Sequence, residues 1–379
     1  MKDELYFDVN GSTPVDERVL EAALGWMREG YANASASHPQ GRRAAQAIAR
    51  AREQIAAGIS CKPAEIFFTS GGTESNNWAI TGSARRAGRG HIVTSAIEHK
   101  SVLGTARALQ RDGFDVDFLL PGSDGAVRAA DVAAALRADT KLVSIMAANN
   151  ETGVVQPVEE IAELCRARGV RTHVDAVGAL GKIRIDIDAI GCDLLSLSSH
   201  KLYSPKGCGV LVVREGTSIE PLIHGCGQQG GLRGGSENTP GAVAFARAIE
   251  LLGEGALGTP ARIGGLRDQL WTLLREKFPL AQRNGSGACL PNTLNVCFPG
   301  ADAAELVQSL GARGISVSAG AAGARGETSH VLEAMGLGGE RARSSLRFSL
   351  GVHSTLAGVR ALADALEACL ALSQKSGSR

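Results

Sequence analysis

CDLLSLSSHKLYSPKGCGVLVV (residues 192–213) reads as two short apolar strands joined by a loop that carries a lysine. Leu, Val and Ser dominate 192–198 and 209–213, at the length typical of buried strands. Working outward, further strand candidates stand at 66–69 (IFFT), 91–95 (HIVTS), 141–147 (KLVSIMA) and 170–175 (VRTHVD). Helical periodicity fills 74–87, 100–112, 130–138 and 157–168 between most of them. Strands alternating with amphipathic helices predict an α/β domain whose mostly parallel sheet is covered on both faces. Only a loop separates 192–198 from 209–213, so that pair need not be parallel.

Downstream the pattern changes. Residues 217–240 run into a Gly-rich stretch, HGCGQQGGLRGGSENTPG, and a loop this long is either disordered or functional. A long helical pattern covers 240–277, followed by strand 293–298, helix 301–311, strand 314–318, helix 328–335, strand 345–349 and helix 355–371. This is the pattern of a second, smaller α+β domain. Residues 15–255 are expected to form a large domain and 256–379 the small one, with the segment 1–30, helical over 15–30, packing on the small domain.

The chain of 379 residues suits two or three domains of roughly 100–200 residues each. It is 44% hydrophobic, and 40 Lys+Arg against 39 Asp+Glu leave a net charge of +1. No basic block tracks a nucleic acid or an anionic lipid, and 4% aromatic residues offer few platforms for stacking bases. No run of about 18 apolar residues suggests a membrane span. The eight cysteines, at 61, 165, 192, 208, 226, 289, 297 and 369, form no C-x-x-C pair, so no metal site is expected. Reduced thiols in a cytoplasmic protein are the expectation.

Three segments carry chemistry. In SSHKLYSPKG (198–207), Lys201 stands at a strand end, placed to form a Schiff base with an aldehyde. In HVDAVG, Asp175 ends a β-rich run 26 residues before Lys201, and a buried carboxylate there holds a pyridine nitrogen protonated. TSGGTES (69–75) follows a strand and opens a helix, so Gly72, Thr73 and the next amides form a phosphate cup at the positive helix end. Pyridine anchor, phosphate cup and lysine together describe a site for pyridoxal 5′-phosphate.

YFDVNGSTP, YANASASHPQGRRA, TSGGTESNN, IEHKSV, NNETGVVQP, HVDAVGALGK, SSHKLYSPKG, GCGQQGGLRGGSEN and RFSLG occur in this order. In that order the chain resembles the cysteine desulfurases of pyridoxal phosphate fold type I, from about residue 5 to about residue 370. The resemblance implies a large domain built on a seven-stranded type of sheet. It also implies that Lys201 carries the cofactor and moves the proton at Cα, and that His99 stacks on the ring and assists. Asp175 then pairs with the pyridine nitrogen, and Asn150 lies near the cofactor O3′ and the substrate carboxylate. Gly72, Thr73, Ser198 and His200 bind phosphate. Ser236 takes the place of a Thr donated across a homodimer, and Arg347 binds the substrate carboxylate as a planar fork. Tyr203 is the family residue of SHKxY and is assigned to the substrate side.

Two departures lie at the chemistry. Desulfurases resembling this chain carry a nucleophilic Cys in a loop of the form S-x-G-[SA]-A-C. Here the loop is SAGAAGARGETSHVL (318–332), with Gly323 in that place and a shorter run before SHVL. The family Gln three residues after the pyridine-binding Asp is here Gly178. Persulfide-forming desulfuration is therefore disfavoured, although Cys226 in the Gly-rich loop is a candidate substitute nucleophile. The expected reaction is β-elimination from an S-substituted L-cysteine to thiol, pyruvate and ammonia. The similarity to desulfurase-like enzymes of lincosamide-type pathways implies a role in sulfur-containing antibiotic biosynthesis. Decarboxylation-coupled oxidative deamination to an aldehyde is the alternative, and a non-catalytic sulfur-transfer scaffold a further one.

Overall fold

The computed structural model describes residues 5–320 and 328–376. A short strand β1 (Leu5–Tyr6) opens the chain. Seven strands then build the principal sheet: β2 (Ile66–Thr69), β3 (His91–Ser95), β4 (Asp115–Leu119), β5 (Thr140–Met146), β6 (Arg171–Asp175), β7 (Leu194–Ser198) and β8 (Gly209–Val213). Their order across the sheet is β2-β8-β7-β6-β5-β3-β4. Neighbours from β7 to β4 are parallel, while β8 pairs antiparallel with both β7 and β2, so β8 alone runs against the rest. The short loop after β7 imposes that reversal, since a parallel return needs a crossover of a dozen residues or more.

Both faces are covered, and the alternation along each strand shows how. Leu195 and Leu197 of β7 and Val210 and Val212 of β8 enter one core with Ile48 and Ile55 of helix Pro39–Ile59 and Phe245 of helix Thr239–Gly253. Leu194, Leu211 and Val213 point the other way, onto Trp78 of helix Gly72–Ala87. Successive residues of a strand face opposite sides, so a strand apolar throughout is a strand buried twice.

A second sheet joins β9 (Gln282–Arg283), β10 (Thr293–Cys297) and β12 (Ser345–Ser349), antiparallel, while β11 (Ile315–Ser316) pairs with β1 in parallel. Leu294, Val296, Leu346 and Phe348 pack there against Leu270 and Leu274 of helix Pro260–Lys277 and Leu362 and Leu366 of helix Leu356–Ser376.

The structure amends two expectations. The segment 1–30 divides: β1 and Phe7 join the small core, but helix Glu17–Glu29 sends Val19 and Ala23 into the large one. Its apolar stripe fits helix Thr239–Gly253 beside it. The long helix expected over 240–277 is two helices, because Gly255 and Gly258 take left-handed φ angles of 72° and 75° and Pro260 then opens a new helix. No helix among the described residues is long and apolar enough to cross a membrane.

Candidate active site

Strands β3, β5, β6 and β7 end at one edge of the principal sheet, the side on which open α/β sheets bind their ligands. There a cavity of about 460 Å³ opens, of a size suited to a small cofactor with substrate. Lys201, His99, Gly72, Thr73, Asn150, Asp175, Ser198, His200 and Arg347 all line it, so nine of the residues singled out from the sequence meet in one place.

Lys201 closes the one-turn helix Ser199–Lys201 that follows β7. The loop is pinned from within, because Ser199 Oγ donates to the carbonyls of Pro205 (2.6 Å) and Cys208 (2.8 Å). Lys201 Nζ donates to the carbonyls of Asn10 (2.6 Å) and Gly11 (2.7 Å). Burial, with Arg347 nearby, pushes its amine down to about 8.

Asp175 ends β6, buried, and accepts from Asn76 Nδ2 at 2.7 Å and from the Val177 amide at 2.9 Å. Asn76 Nδ2 also donates to Ser101 Oγ at 2.9 Å, and Ser101 Oγ lies 2.8 Å from His99 Nδ1. A continuous polar chain thus joins carboxylate to imidazole. His99 caps helix Lys100–Arg111 and accepts the Ser101 amide at Nδ1, so the neutral ring keeps its proton on Nε2. Burial holds the imidazole below its ordinary value, in favour of that neutral form.

The opposite wall is a cup between β2 and helix Gly72–Ala87. A Cβ at Gly72 would stand 2.7 Å from Val177 Cγ2 and fill the cup, so the backbone approach there requires glycine. Ser198 Oγ is buried at the rim with no hydrogen-bond partner. An orphaned hydroxyl beside the positive start of a 16-residue helix fits a phosphate oxygen. Burial and the adjacent Lys201 push His200 down to about 4, so it offers a neutral ring here.

Arg347 comes from the small sheet. Leu346 and Phe348 face their own core, which turns the intervening Arg347 toward the cavity. Its Nη2 donates to Asp8 Oδ1 at 2.6 Å and its Nη1 to the Asn150 carbonyl at 3.1 Å, while Nε is buried without a partner.

Tyr203 and Ser236 fall outside the cavity. The Tyr203 hydroxyl accepts the Val352 amide at 3.0 Å and its ring packs edge-on to His353, because a left-handed φ of 52° turns it away from Lys201. Ser236 is exposed on the Gly-rich loop, as is Cys226. That loop is ordered: Gln229 Oε1 accepts from the Phe68 amide at 2.8 Å, and Arg233 pairs with Glu74 at 2.9 Å. Gly323 lies outside the described residues. Gly178 lines the cavity, where a Cβ would come to 3.3 Å of the Ala148 carbonyl.

Sequence reasoning missed Asn10, Asn76 and Lys182. Asn76 stands four residues after Gly72, hence on the same helix face, which was a usable signal. Lys182 is buried, donates to the Gly178 carbonyl at 2.9 Å, and is pushed down to about 7 by burial. Nothing local in HVDAVGALGK announces that its side chain turns inward.

The residues present fit pyridoxal phosphate: an orphaned hydroxyl and a glycine cup for the phosphate, a fixed carboxylate for the ring, and a lysine of depressed basicity between them. The aminotransferase class-V family matches residues 5–362. A cysteine desulfurase IscS of Anaeromyxobacter dehalogenans is 43% identical over 363 residues, covering 94% of this chain and 89% of that protein. A solved NifS-like protein superposes with a TM-score of 0.91 at 38% identity, covering 98% of this chain and 100% of the other. The structure of SspA in complex with cysteine gives a TM-score of 0.82 at 39% identity, over 93% of this chain and 100% of that one. The chain belongs to the aminotransferase class-V family and is a pyridoxal phosphate-dependent carbon–sulfur lyase of the cysteine desulfurase-like kind.

Proposed function

We propose that the enzyme catalyses β-elimination from an S-substituted L-cysteine, releasing a thiol, pyruvate and ammonia. The observation that carries this reading is the placing of the thiols. All eight cysteines lie among the described residues and none lines the cavity, and the stretch 318–332 contains none. Burial pushes Cys61, Cys192 and Cys208 up to about 12 and Cys165 up to about 11, which makes them poor nucleophiles at neutral pH. With no thiolate beside the substrate sulfur, the sulfur must leave with its own bonding pair.

Bound pyridoxal phosphate supplies an electron sink that makes the α-proton acidic. The chain's residues supply the rest. Gly72, Thr73, Ser198 and His200 hold the phosphate, and Asp175 holds the proton on the pyridine nitrogen. Arg347 receives the substrate carboxylate on its unpartnered Nε edge, with Asn150 beside it. Lys201, a weak enough base to be partly neutral near pH 7, takes the α-proton at Nζ. His99, neutral and tied to Asp175 through Ser101 and Asn76, assists that transfer. The carbon–sulfur bond then breaks, its electron pair stays on sulfur, and the thiolate takes up a proton. Hydrolysis of the three-carbon remainder gives pyruvate and ammonia. Gly178 leaves this wall without a side chain, which suits a substituent on sulfur.

Ser236, exposed on an ordered loop away from its own cavity, suits a role at the phosphate of a second copy in a homodimer. The unpaired cysteines suit a reducing cytoplasm. The setting we favour is sulfur-containing natural-product biosynthesis. The test is to incubate holoenzyme with several S-substituted cysteines and identify products by mass spectrometry. Thiol with pyruvate supports the proposal; aldehyde with carbon dioxide replaces it with decarboxylation-coupled deamination. One observation favours a second reading: Cys226 is exposed on the Gly-rich loop, which leaves its thiol accessible as a relocated sulfur acceptor.

A further inference from the structure

The other edge of the principal sheet has a concavity of its own. At the N-terminal ends of β5 and β6 lies a cavity of about 550 Å³, lined by Arg137, Lys141, Arg168 and Arg171 and by no acidic residue. It belongs to a different surface from the cofactor site, because β5 alone spans ~20 Å at ~3.3 Å per residue. Arg137 shares its charge with Asp115 (3.4 Å) and Asp117 (3.2 Å). Lys141 and Arg168 have no ion-pair partner among the described residues. Arg171 Nη1 is buried with no hydrogen-bond partner.

Part of this charge has an ordinary explanation. Helices Gly72–Ala87, Ala129–Ala135 and Val158–Arg166 all end at this edge, and cations complement the negative ends of helices. Helix ends do not explain a buried guanidinium nitrogen left without an acceptor on a strand residue that also lines a cavity. A buried N–H of that kind calls for a partner. Burial lowers the basicity of Arg171 while the nearby Asp193 carboxylate acts the other way, and the same dehydration strengthens the guanidinium's hold on an anion.

We propose that this cavity binds a small, multiply charged anion of the phosphate class, with Arg171 donating from the wall and Lys141 and Arg168 closing over it. The concavity suits a compact di- or triphosphate group better than the extended backbone of a nucleic acid.

The probe is inorganic pyrophosphate, titrated calorimetrically into cofactor-saturated holoenzyme at constant ionic strength set with potassium chloride. Saturable binding is expected, with a rise in Tm that grows with the logarithm of ligand concentration. Arg171→Gln and Lys141→Gln should each weaken it by about tenfold or more, the scale of a charged hydrogen bond. Arg168→Gln changes an exposed side chain and keeps the test valid should Arg171→Gln fold poorly. The cofactor absorbance should stay unchanged in all three variants. Absence of saturable binding, or binding undiminished in Lys141→Gln and Arg168→Gln, overturns the proposal.

Discussion

Replacing Ser198 by alanine should separate the cofactor-free protein from the holoenzyme more cleanly than any other single change. Ser198 Oγ is buried and bonds to no protein group, so its removal breaks no hydrogen bond within the protein. The stability of the cofactor-free protein should therefore hold or rise. In the holoenzyme the same hydroxyl meets a phosphate oxygen, and a hydrogen bond to a charged group is worth about 1.5–3 kcal/mol. At about 1.4 kcal/mol per factor of ten, cofactor affinity should fall by about 10- to 150-fold. The assay pairs thermal unfolding of cofactor-free protein with a pyridoxal phosphate titration followed by visible absorbance. A variant that loses stability without cofactor yet binds cofactor as tightly as before would refute this placing of the phosphate.

Lys201→Ala should give colourless protein without turnover. The fold should survive, since the side chain donates only to the carbonyls of Asn10 and Gly11; retained visible absorbance with full activity would contradict the assignment. Glu98 is fully buried, and burial raises its carboxyl from near 4.5 to about 8. Between those values the folded chain binds more protons than the unfolded one, so stability should fall as pH rises across that window. Glu98→Gln should flatten this slope in pH-dependent thermal unfolding, and an unchanged slope would dismiss the buried carboxyl as its source. Ser236→Ala should weaken cofactor retention by about tenfold, the scale of one such hydrogen bond, provided the enzyme is a dimer. Light scattering that finds a fully active monomer would count against this.

The doubly buried strands were the most legible part of the fold, because an unbroken apolar run such as 209–213 has no other stable place in an α/β chain. The edge strand Asp115–Leu119 was not seen, since DVDFL is half-exposed and carries two acidic residues. Helix Pro39–Ile59 was missed for another reason. Its buried stripe sets Ala44, Ala47, Ala51 and Ala56 among Ile48, Ile55 and Ile59, and alanine gives little contrast between faces. In the site, Lys201, Asp175 and the Gly72 cup were legible as local signals at strand ends and a helix start. The backbone carbonyls of Asn10 and Gly11 were not, because they reach Lys201 from 191 and 190 residues away in the chain. Tyr203 lies outside the cavity of Lys201, and adjacency in sequence says nothing about the left-handed φ that Tyr203 itself adopts.

If sulfur leaves the substrate without bonding to the enzyme, intact-protein mass spectrometry will find no sulfur added to the chain. Holoenzyme is treated with L-cysteine and, separately, with an S-substituted cysteine, then measured with and without reductant. The predicted result is an unmodified chain in every sample, with sulfide or thiol released to solution. A reductant-sensitive gain of one sulfur atom, abolished in Cys226→Ser, would contradict it and make Cys226 the nucleophile of a desulfurase.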